Sequence, residues 1–289
     1  MTNNPEVHTG TFGSMSEADF RKFSEFILHE AGIQLPITKK ILLEGRLQKR
    51  MRLLKINSFS AYSEYVFSPD GQISELPHMI DAITTNKTEF FRESDHFTYL
   101  TKTVLPELKS DRELGDNRRY FVWSAGCSTG EEPYTLAMVL SEYKKKNPAF
   151  DFRILATDIC NTVLDKARKG IYDVSKTSTV PMALKKDYML KSRNPEQKIV
   201  RMSPDIRMKV KFAWLNFMAH DYQIREKVDI IFCRNVIIYF SKSDQEQVIL
   251  RFCNQLIPGG YLFLGHSETL TGVNLPLTQV FPTVYRKTT

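Results

Sequence analysis

The segment from Trp123 to Tyr134 combines small residues with acids in an order that can form a ligand site. YFVWS predicts a buried strand, AGCSTG a loop, and the residues from about Pro133 a helix. In a doubly wound sheet such a loop lies at the carboxyl ends of the strands, where ligands bind. Small residues, among them Gly126, allow the backbone to approach a ligand closely.

Two acids at the end of this loop, Glu131 and Glu132, restrict the kind of ligand. The loop is neither G-x-G-x-x-G nor a P-loop, because no Lys follows its second Gly. Two carboxylates at the helix start would repel a pyrophosphate and favour a ligand with a positive group. S-adenosylmethionine fits, since it has a sulfonium and an α-amino group but no phosphate. The alternative is a tight strand–helix turn with solvated acids.

Polar residues also follow two further predicted strands, RILAT and VDIIFC. Asp158 ends the first, where an acid can accept hydrogen bonds from both ribose hydroxyls of an adenosyl group. The alternative is an N-cap for a helix beginning near Asn161. Asn235 and Tyr239 follow the second strand, where they could hold a methyl acceptor. Their alternative is a strand–loop transition with Tyr239 in the core.

Two other motifs have less specific readings. TTNKTEFFR, from Thr84 to Arg92, is dense in hydrogen-bonding groups, although its residues alone favour a helix end with a packed Phe pair. His266 and Ser267 in GHSE do not indicate a hydrolase, because neighbouring Ser and His cannot form a triad and no G-x-S-x-G occurs. A structural or supporting role is predicted for His266.

The predicted elements that position these residues fall into two groups. Up to about residue 84 the patterns are helical, beginning with an S-x-x-D cap at Ser16 and ending with a helix predicted over about residues 73–84. One helix, from Thr38 to about Lys55, has an apolar stripe predicted at Ile41, Leu42, Leu47, Met51 and Leu54. From Tyr120 onward strands alternate with helices, which predicts a parallel sheet covered on both faces. Residues 198–202 and 209–213 are strand-like pieces of a predicted small insertion.

Composition narrows the class of protein. The 289 residues suggest about two domains, and the formal net charge of +7 permits an acidic partner without choosing among nucleic acid, lipid and protein. No apolar run approaches the ~20 residues of a membrane helix, and the N-terminus does not resemble a secretory signal. A cytoplasmic protein is expected. The four cysteines lack C-x-x-C spacing, so free thiols and no metal site are predicted.

Together TTNKTEFFRE, SAGCSTGEEPY, ATDI, CRNVIIYF and GHSE resemble, in order, the CheR-type chemotaxis receptor methyltransferases, from about Met15 to Arg286. The resemblance implies an α/β fold: a Rossmann-like S-adenosylmethionine-dependent methyltransferase domain at 120–289 with a β-subdomain insertion at about 172–212. An all-α N-terminal domain at 15–85 and a linker with a connecting helix at 86–119 would precede it. It also implies glutamate side chains of membrane chemoreceptors as acceptors, with glutamyl methyl esters and S-adenosylhomocysteine as products. A monomer that does not bind nucleic acid and does not insert into the membrane is expected.

The resemblance also implies which residues form the cofactor and acceptor pocket. Glu132 would contact the methionine end and Asp158 the ribose. With Gly126 of the first loop, the remaining predicted cofactor residues are Asn86, Thr88, Arg92, Asn216, Phe217, Asn235 and Val236. Asn216 and Phe217 match the family's adenine-side pair, and Asn235 and Val236 match the pair beside the acceptor.

Arg92 and Tyr239 are predicted to be catalytic through positioning. A glutamate carboxylate is already anionic near pH 7, so it needs no general base. A guanidinium can hold it bidentately.

The basic face of the second helix could dock acidic receptor surfaces through Arg46, Lys49, Arg50 and Arg52, or it could be a solvated face. Some family members tether a receptor peptide through a Gly-rich loop in the β-subdomain. Residues 190–198 contain no glycine here, which argues against tethering. Two rival functions remain: methylation of another acceptor such as nucleic acid, although D/N-P-P-Y is absent, and a cofactor-sensing scaffold without turnover.

Overall fold

A computed structural model describes residues 13–111, 118–194, 196–270 and 275–288. The polar first fifteen residues, whose composition predicts a frayed terminus, lie mostly outside these ranges, and residues 112–117 of the predicted linker lie wholly outside them. The chain divides into two compact units, with Thr84 the last residue of the first and Thr85 the first of the second.

The first unit is helical throughout its described part. Ser16 accepts a hydrogen bond from the Asp19 N–H, as the S-x-x-D pattern predicts. A 3₁₀ turn at Ile37–Lys39 precedes the second helix. The helices are α1 Glu17–Ala31, α2 Lys40–Leu54, α3 Phe59–Phe67, α4 Pro69–Ser74 and α5 Leu76–Ile83.

Two details of this unit differ from the sequence prediction. Helix α2 buries Leu43, Leu47 and Met51, whereas Ile41 is 82% exposed. The helix predicted over residues 73–84 is instead two helices that meet at Glu75. Pro77 lies in the first turn of α5, where a backbone N–H would have no partner within the helix, so its absence costs no hydrogen bond. In the middle of one continuous helix, the same proline would remove a backbone hydrogen bond.

The second unit contains a seven-stranded sheet in the order β6-β2-β1-β7-β8-β10-β9. The five strands from β6 to β8 are parallel, and β10 runs antiparallel to both β8 and β9. The strands are β1 Tyr120–Ala125, β2 Phe152–Asp158, β6 Val210–Trp214, β7 Val228–Cys233, β8 Leu256–Leu264, β9 Leu277–Phe281 and β10 Val284–Lys287. The helices of the second unit are α6 Ser94–Tyr99, α7 Leu105–Asp111, α8 Glu131–Lys146, α9 Asn161–Lys169, α10 Met182–Tyr188, α11 Pro204–Met208 and α12 Lys242–Gln255.

The centre of this sheet is apolar on both faces. Every residue of β1 and β7 is buried, which is typical of parallel strands covered on both sides. β2 lies on one side of β1 and β7 on the other, so the strand order reverses at β1. Such a reversal opens a crevice at the carboxyl ends of the strands. The predicted α/β architecture is confirmed.

A second sheet of three antiparallel strands, β3-β5-β4, forms the predicted small β-subdomain. Its strands are β3 Ile171–Asp173, β4 Met189–Lys191 and β5 Ile199–Met202. The other strand-like piece, residues 209–213, is not part of it. It belongs to β6, which pairs in parallel with β2 at the edge of the large sheet because its apolar Val210 and Phe212 pack in the main core.

All four cysteines are buried thiols, as predicted, and no disulfide joins any of them. Burial raises the pKa of the Cys127 and Cys233 thiols well above the ordinary value and that of Cys253 to about 11. Within the described ranges, no helix combines the length and apolar character needed to cross a bilayer.

Candidate functional site

The loop after β1 passes very close to the loop after β7. Gly126 has φ +84°, and a Cβ at this position would lie 2.4 Å from Val236 Cγ2. The Gly126 N–H donates to the Thr157 carbonyl at 2.8 Å, which fixes the loop to the end of β2. A side chain at position 126 would therefore push apart the walls of the crevice.

Asp158, at the carboxyl end of β2, is 7% exposed. Its Oδ2 accepts the Ser128 N–H at 2.8 Å, and its Oδ1 accepts the Cys160 N–H at 2.9 Å. Helix α9 has Cys160 at its N-cap position. These two bonds fix the orientation of the Asp158 carboxylate at the carboxyl end of β2.

Glu132, in the first turn of α8, forms a buried ion pair with Arg234. The Arg234 Nε donates to Glu132 Oε2 at 2.8 Å, and the Ser124 hydroxyl donates to Oε1 at 2.7 Å. Glu131 is fully buried and accepts the Thr129 hydroxyl at 2.6 Å. The alternative with solvated acids is therefore wrong: both carboxylates are enclosed.

Arg234 also fixes the segment that contains Arg92. Its Nη1 donates to the Arg92 carbonyl at 2.6 Å and lies 3.4 Å from Glu93 Oε2. Phe91 and Glu93, on either side of Arg92, have φ +55° and +52°. Left-handed backbone is unfavourable for such side chains, and strain of this kind often occurs at functional sites.

The other predicted residues of this segment lie beside the first loop. The Asn86 carbonyl accepts the Ser128 hydroxyl at 2.9 Å, and the Asn86 amide lies 3.7 Å from Cys160 Sγ. Thr88 is half-buried. The Arg92 Nη1 donates to the Lys87 carbonyl at 3.3 Å. The segment thus packs along the loops after β1 and β2 and is not simply a helix end.

Asn235 follows β7 in the left-handed conformation, with φ +58°. Its Nδ2 lies 3.5 Å from Glu93 Oε1, while its Oδ1 is buried and has no hydrogen-bond partner among the described residues. Tyr239 ends the 3₁₀ turn Ile237–Tyr239 and is half-buried. An orphaned buried oxygen indicates a place for a hydrogen-bond donor that the described residues do not supply.

The predicted adenine-side pair, Asn216 and Phe217, follows β6. Asn216 Oδ1 accepts the Met218 N–H at 2.9 Å. The Phe217 ring packs against Trp123 and Phe252 in the core, with ring centroids 6.3 and 5.4 Å apart. Phe217 therefore anchors this turn, and its contact with a cofactor stays a prediction.

The predicted docking residues on α2 do not form one exposed set. Arg50 makes a bidentate pair with the buried Glu75, at 2.9 and 2.7 Å, and Arg46 donates to the Ile83 and Thr84 carbonyls at the end of α5. Lys49 and Arg52 are exposed. The structure brings the predicted cofactor residues of the second unit to one edge of the sheet, but it places Arg46 and Arg50 in contacts within the helical unit.

The residues around the crevice fit S-adenosylmethionine. Asp158 would hold the ribose, Glu132 the α-amino group, and the Asn235 Oδ1 would accept a hydrogen bond from the ligand. The enclosed carboxylates match the sulfonium and ammonium of the ligand, and phosphates would be repelled. Sequence reasoning missed Arg234, whose partners are 102 and 142 residues away in the chain. It also missed Glu268, which accepts hydrogen bonds from the N–H groups of Asn235 and Val236.

Comparisons with known proteins agree with this geometry. Residues 18–84 match the family described as "CheR methyltransferase, all-alpha domain", and residues 86–286 match "CheR methyltransferase, SAM binding domain". Proteins called "Chemotaxis protein methyltransferase" are similar along nearly the whole chain. That of Borreliella burgdorferi is 36% identical and aligns over 95% of both chains. That of Klebsiella aerogenes is 38% identical over 94% of this chain and 90% of its own, and that of Escherichia coli is 36% identical over 94% and 91%.

Proposed function

The chain belongs to the CheR methyltransferase family, whose second domain binds S-adenosylmethionine, and from this we propose that it methylates glutamate side chains of chemoreceptors. The products would be glutamyl methyl esters and S-adenosylhomocysteine. The relatives' name, chemotaxis protein methyltransferase, supports receptors as the substrate. We further propose that the protein is cytoplasmic, because its substrates would be the cytoplasmic parts of receptors, and that it acts as a monomer.

One observation supports the proposal most strongly: Asp158, Glu132 and the orphaned Asn235 Oδ1 converge where β2, β1 and β7 end. This is the point of strand reversal, where an adenosyl ligand is expected. The segment containing Arg92 lies along the same edge, bound to Arg234 through its own carbonyl. A methyl acceptor guided by Arg92 would therefore arrive beside the cofactor.

The chemistry requires little from acid–base groups. S-adenosylmethionine supplies an electrophilic methyl group on its sulfonium. A glutamate acceptor is ionised near pH 7, so the protein has to desolvate and orient it. We propose that Arg92 holds the acceptor carboxylate and that Tyr239 borders its path. Fixing two reactants in line can supply roughly 7–11 kcal/mol in favourable cases.

Charge outside the crevice is proposed to assist docking. Lys49 and Arg52 are exposed on α2 and could attract acidic residues of a receptor helix. Arg46 and Arg50 are not proposed as the main contacts, because their guanidinium groups bond to the carbonyls at the end of α5 and to Glu75. Exposed charges of this kind act mainly on the rate of association.

The test is transfer of labelled methyl from S-adenosylmethionine to receptor-containing membranes. We expect label in the receptor band that is released by mild base, as for a carboxyl ester. Asp158→Asn is the matched control, because the loss of one acidic oxygen should weaken cofactor binding and reduce the label. Label in nucleic acid, base-stable label, or cofactor binding without any transfer would contradict the proposal.

A further inference from the structure

Glu268 lies in the turn after β8, and its carboxylate reaches across to the loop after β7. The side chain is buried, with 3% of the residue exposed. Its Oε2 accepts the Asn235 N–H at 2.8 Å, and its Oε1 accepts the Val236 N–H at 2.9 Å. One carboxylate therefore fixes the backbone of both residues predicted to line the acceptor side of the cofactor pocket.

The same carboxylate closes its own turn. The Gly265 N–H donates to Glu268 Oε2 at 2.6 Å, and the Glu268 N–H donates to the Gly265 carbonyl at 2.9 Å. A Cβ on Gly265 would lie 2.6 Å from the Asn235 Nδ2, so only glycine leaves room for that amide. The sequence G-x-x-E thus encodes a turn that fits around Asn235.

This arrangement removes the ionised Glu268 carboxylate from water, which costs hydration free energy. Burial raises the pKa of Glu268, and the N–H groups of Gly265, Asn235, Val236 and Ile238 oppose that rise. A buried carboxylate is retained only where hydrogen bonds compensate its lost hydration. Here the compensating donors belong to the loop whose Asn235 keeps a left-handed backbone and a buried Oδ1 without a partner among the described residues.

We propose that Glu268 is a positioning residue of the methyltransferase site, holding Asn235 in the conformation in which its side chain binds S-adenosylmethionine. Glu268 acts through the Asn235 and Val236 backbone, since both its oxygens accept bonds from that loop. The inference rests on the proposed part of Asn235 in the cofactor pocket and does not depend on the acceptor.

The test is the dissociation constant of S-adenosylhomocysteine, measured by calorimetry on the full chain. Glu268→Gln keeps the size of the side chain but turns an NH₂ group toward a backbone N–H. We expect the dissociation constant to rise about tenfold. Ser267→Ala, an exposed neighbour in the same turn, is the matched control and should stay within about twofold of the unsubstituted protein.

A double-mutant cycle separates positioning from general stability. Asn235→Ala alone should also weaken binding about tenfold, and adding Glu268→Gln to it should cost little more, because Glu268 acts through Asn235. A dissociation constant that is about a hundredfold higher in the double variant would overturn the proposal, because the two substitutions would then act independently. So would a Glu268→Gln affinity within about twofold of the unsubstituted protein.

Glu268→Asp provides a second variant, since it keeps the charge but is one methylene shorter. The Glu268→Asp variant should bind S-adenosylhomocysteine more weakly than the unsubstituted protein but unfold at a similar temperature. Loss of folding in both variants would assign Glu268 to the stability of the fold and overturn the positioning role. A protein that binds S-adenosylhomocysteine as expected but methylates no receptor would refute the proposed function and leave this inference intact.

Discussion

Individual side chains at the crevice combine two kinds of charge. Glu132 would attract the cationic ligand, but Arg234 already binds one of its oxygens at 2.8 Å. A buried pair with good geometry gives orientation more than net stabilisation. Because Arg234 also bonds to the Arg92 carbonyl, it links the cofactor side of the crevice to the segment proposed to hold the acceptor.

Arg92→Ala should reduce turnover at saturating S-adenosylmethionine about a hundredfold. The acceptor carboxylate would lose its bidentate partner and its alignment with the methyl group. Initial rates with receptor membranes measure the effect. Lys87→Ala is the control, since that side chain is exposed in the same segment. Unchanged turnover of Arg92→Ala at saturating cofactor would refute the catalytic role of Arg92.

Arg50→Ala should destabilise the helical unit and leave docking as a secondary effect. The substitution removes both guanidinium bonds from the carboxylate of Glu75, which is 2% exposed and also accepts the Tyr62 hydroxyl at 2.8 Å. Leaving a buried charge without its partner costs about 3 kcal/mol. Chemical denaturation measures this loss. Arg52→Ala, at an exposed position, should change the free energy of unfolding by less than about 0.5 kcal/mol.

At the scale of elements, the position of the site depends on where the parallel strands end. β1, β2 and β7 are in parallel register, so their carboxyl ends bring Gly126, Asp158 and Asn235 together although they are far apart in sequence. Strand ends could be predicted from apolar runs followed by polar residues. The sequence places residues 209–213 in the insertion, whereas they belong to β6 of the large sheet. A short strand of a subdomain and an edge strand of a sheet have the same local residue pattern, so the sequence alone does not distinguish them.

Helix α2 gives the clearest case of what local pattern leaves undecided. Leu43 rather than Ile41 faces the core, although both have neighbours at helical spacing. Arg46 bonds to the Ile83 and Thr84 carbonyls at the end of α5, 37 and 38 positions away, and Arg50 bonds to the carboxylate of Glu75, 25 positions away. Sequence spacing shows that these arginines share a helix, but only tertiary packing determines which ones are already bonded.

Reversing the exposed charges of α2, in Lys49→Glu with Arg52→Glu, should lower kcat/KM for receptor membranes about tenfold at low salt. The difference should shrink as salt rises, because exposed charges are screened. Arg21→Glu with Lys22→Glu is the matched control, since it makes the same charge change at exposed positions of α1. An equal effect of both double variants, or one independent of salt, would contradict docking through α2.

For the molecule as a whole, His96 makes stability depend on pH. It is fully buried, and burial together with the charge of Arg234 lowers its pKa to about 4. The groups that face it are Glu93, Asp95, Arg234, His266 and Thr283. Because the unfolded chain binds a proton near pH 6.5 while the folded chain does not, stability is full above pH 6.5 and falls as the pH drops toward 4.

The loss between pH 6.5 and pH 4 should be about 3 kcal/mol, since each pKa unit corresponds to about 1.36 kcal/mol. Chemical denaturation across this range measures it. His96→Asn should reduce the slope of the free energy of unfolding with pH, although the variant loses packing at every pH. An identical slope in both proteins would show that other groups cause the acid sensitivity.

The family and its two-domain order could be predicted from the sequence because the motifs occur in a fixed order along the chain, and residues 18–84 and 86–286 match the corresponding domains. The positions of Gly126 and Asp158 at the carboxyl ends of strands could also be predicted. The bonds among Arg234, Glu268 and their partners could not, because they join distant segments. G-x-x-E directly after a strand was a usable signal for Glu268.

The enclosed thiols make the protein suited to covalent probing of its own unfolding. Cys127, Cys160, Cys233 and Cys253 are at most 1% exposed, and the reactive thiolate is disfavoured in the folded state for the three whose pKa is raised. A maleimide reagent should therefore modify the native chain only when part of it opens. The pattern of alkylation along the sequence would then show which of the segments containing these cysteines opens first.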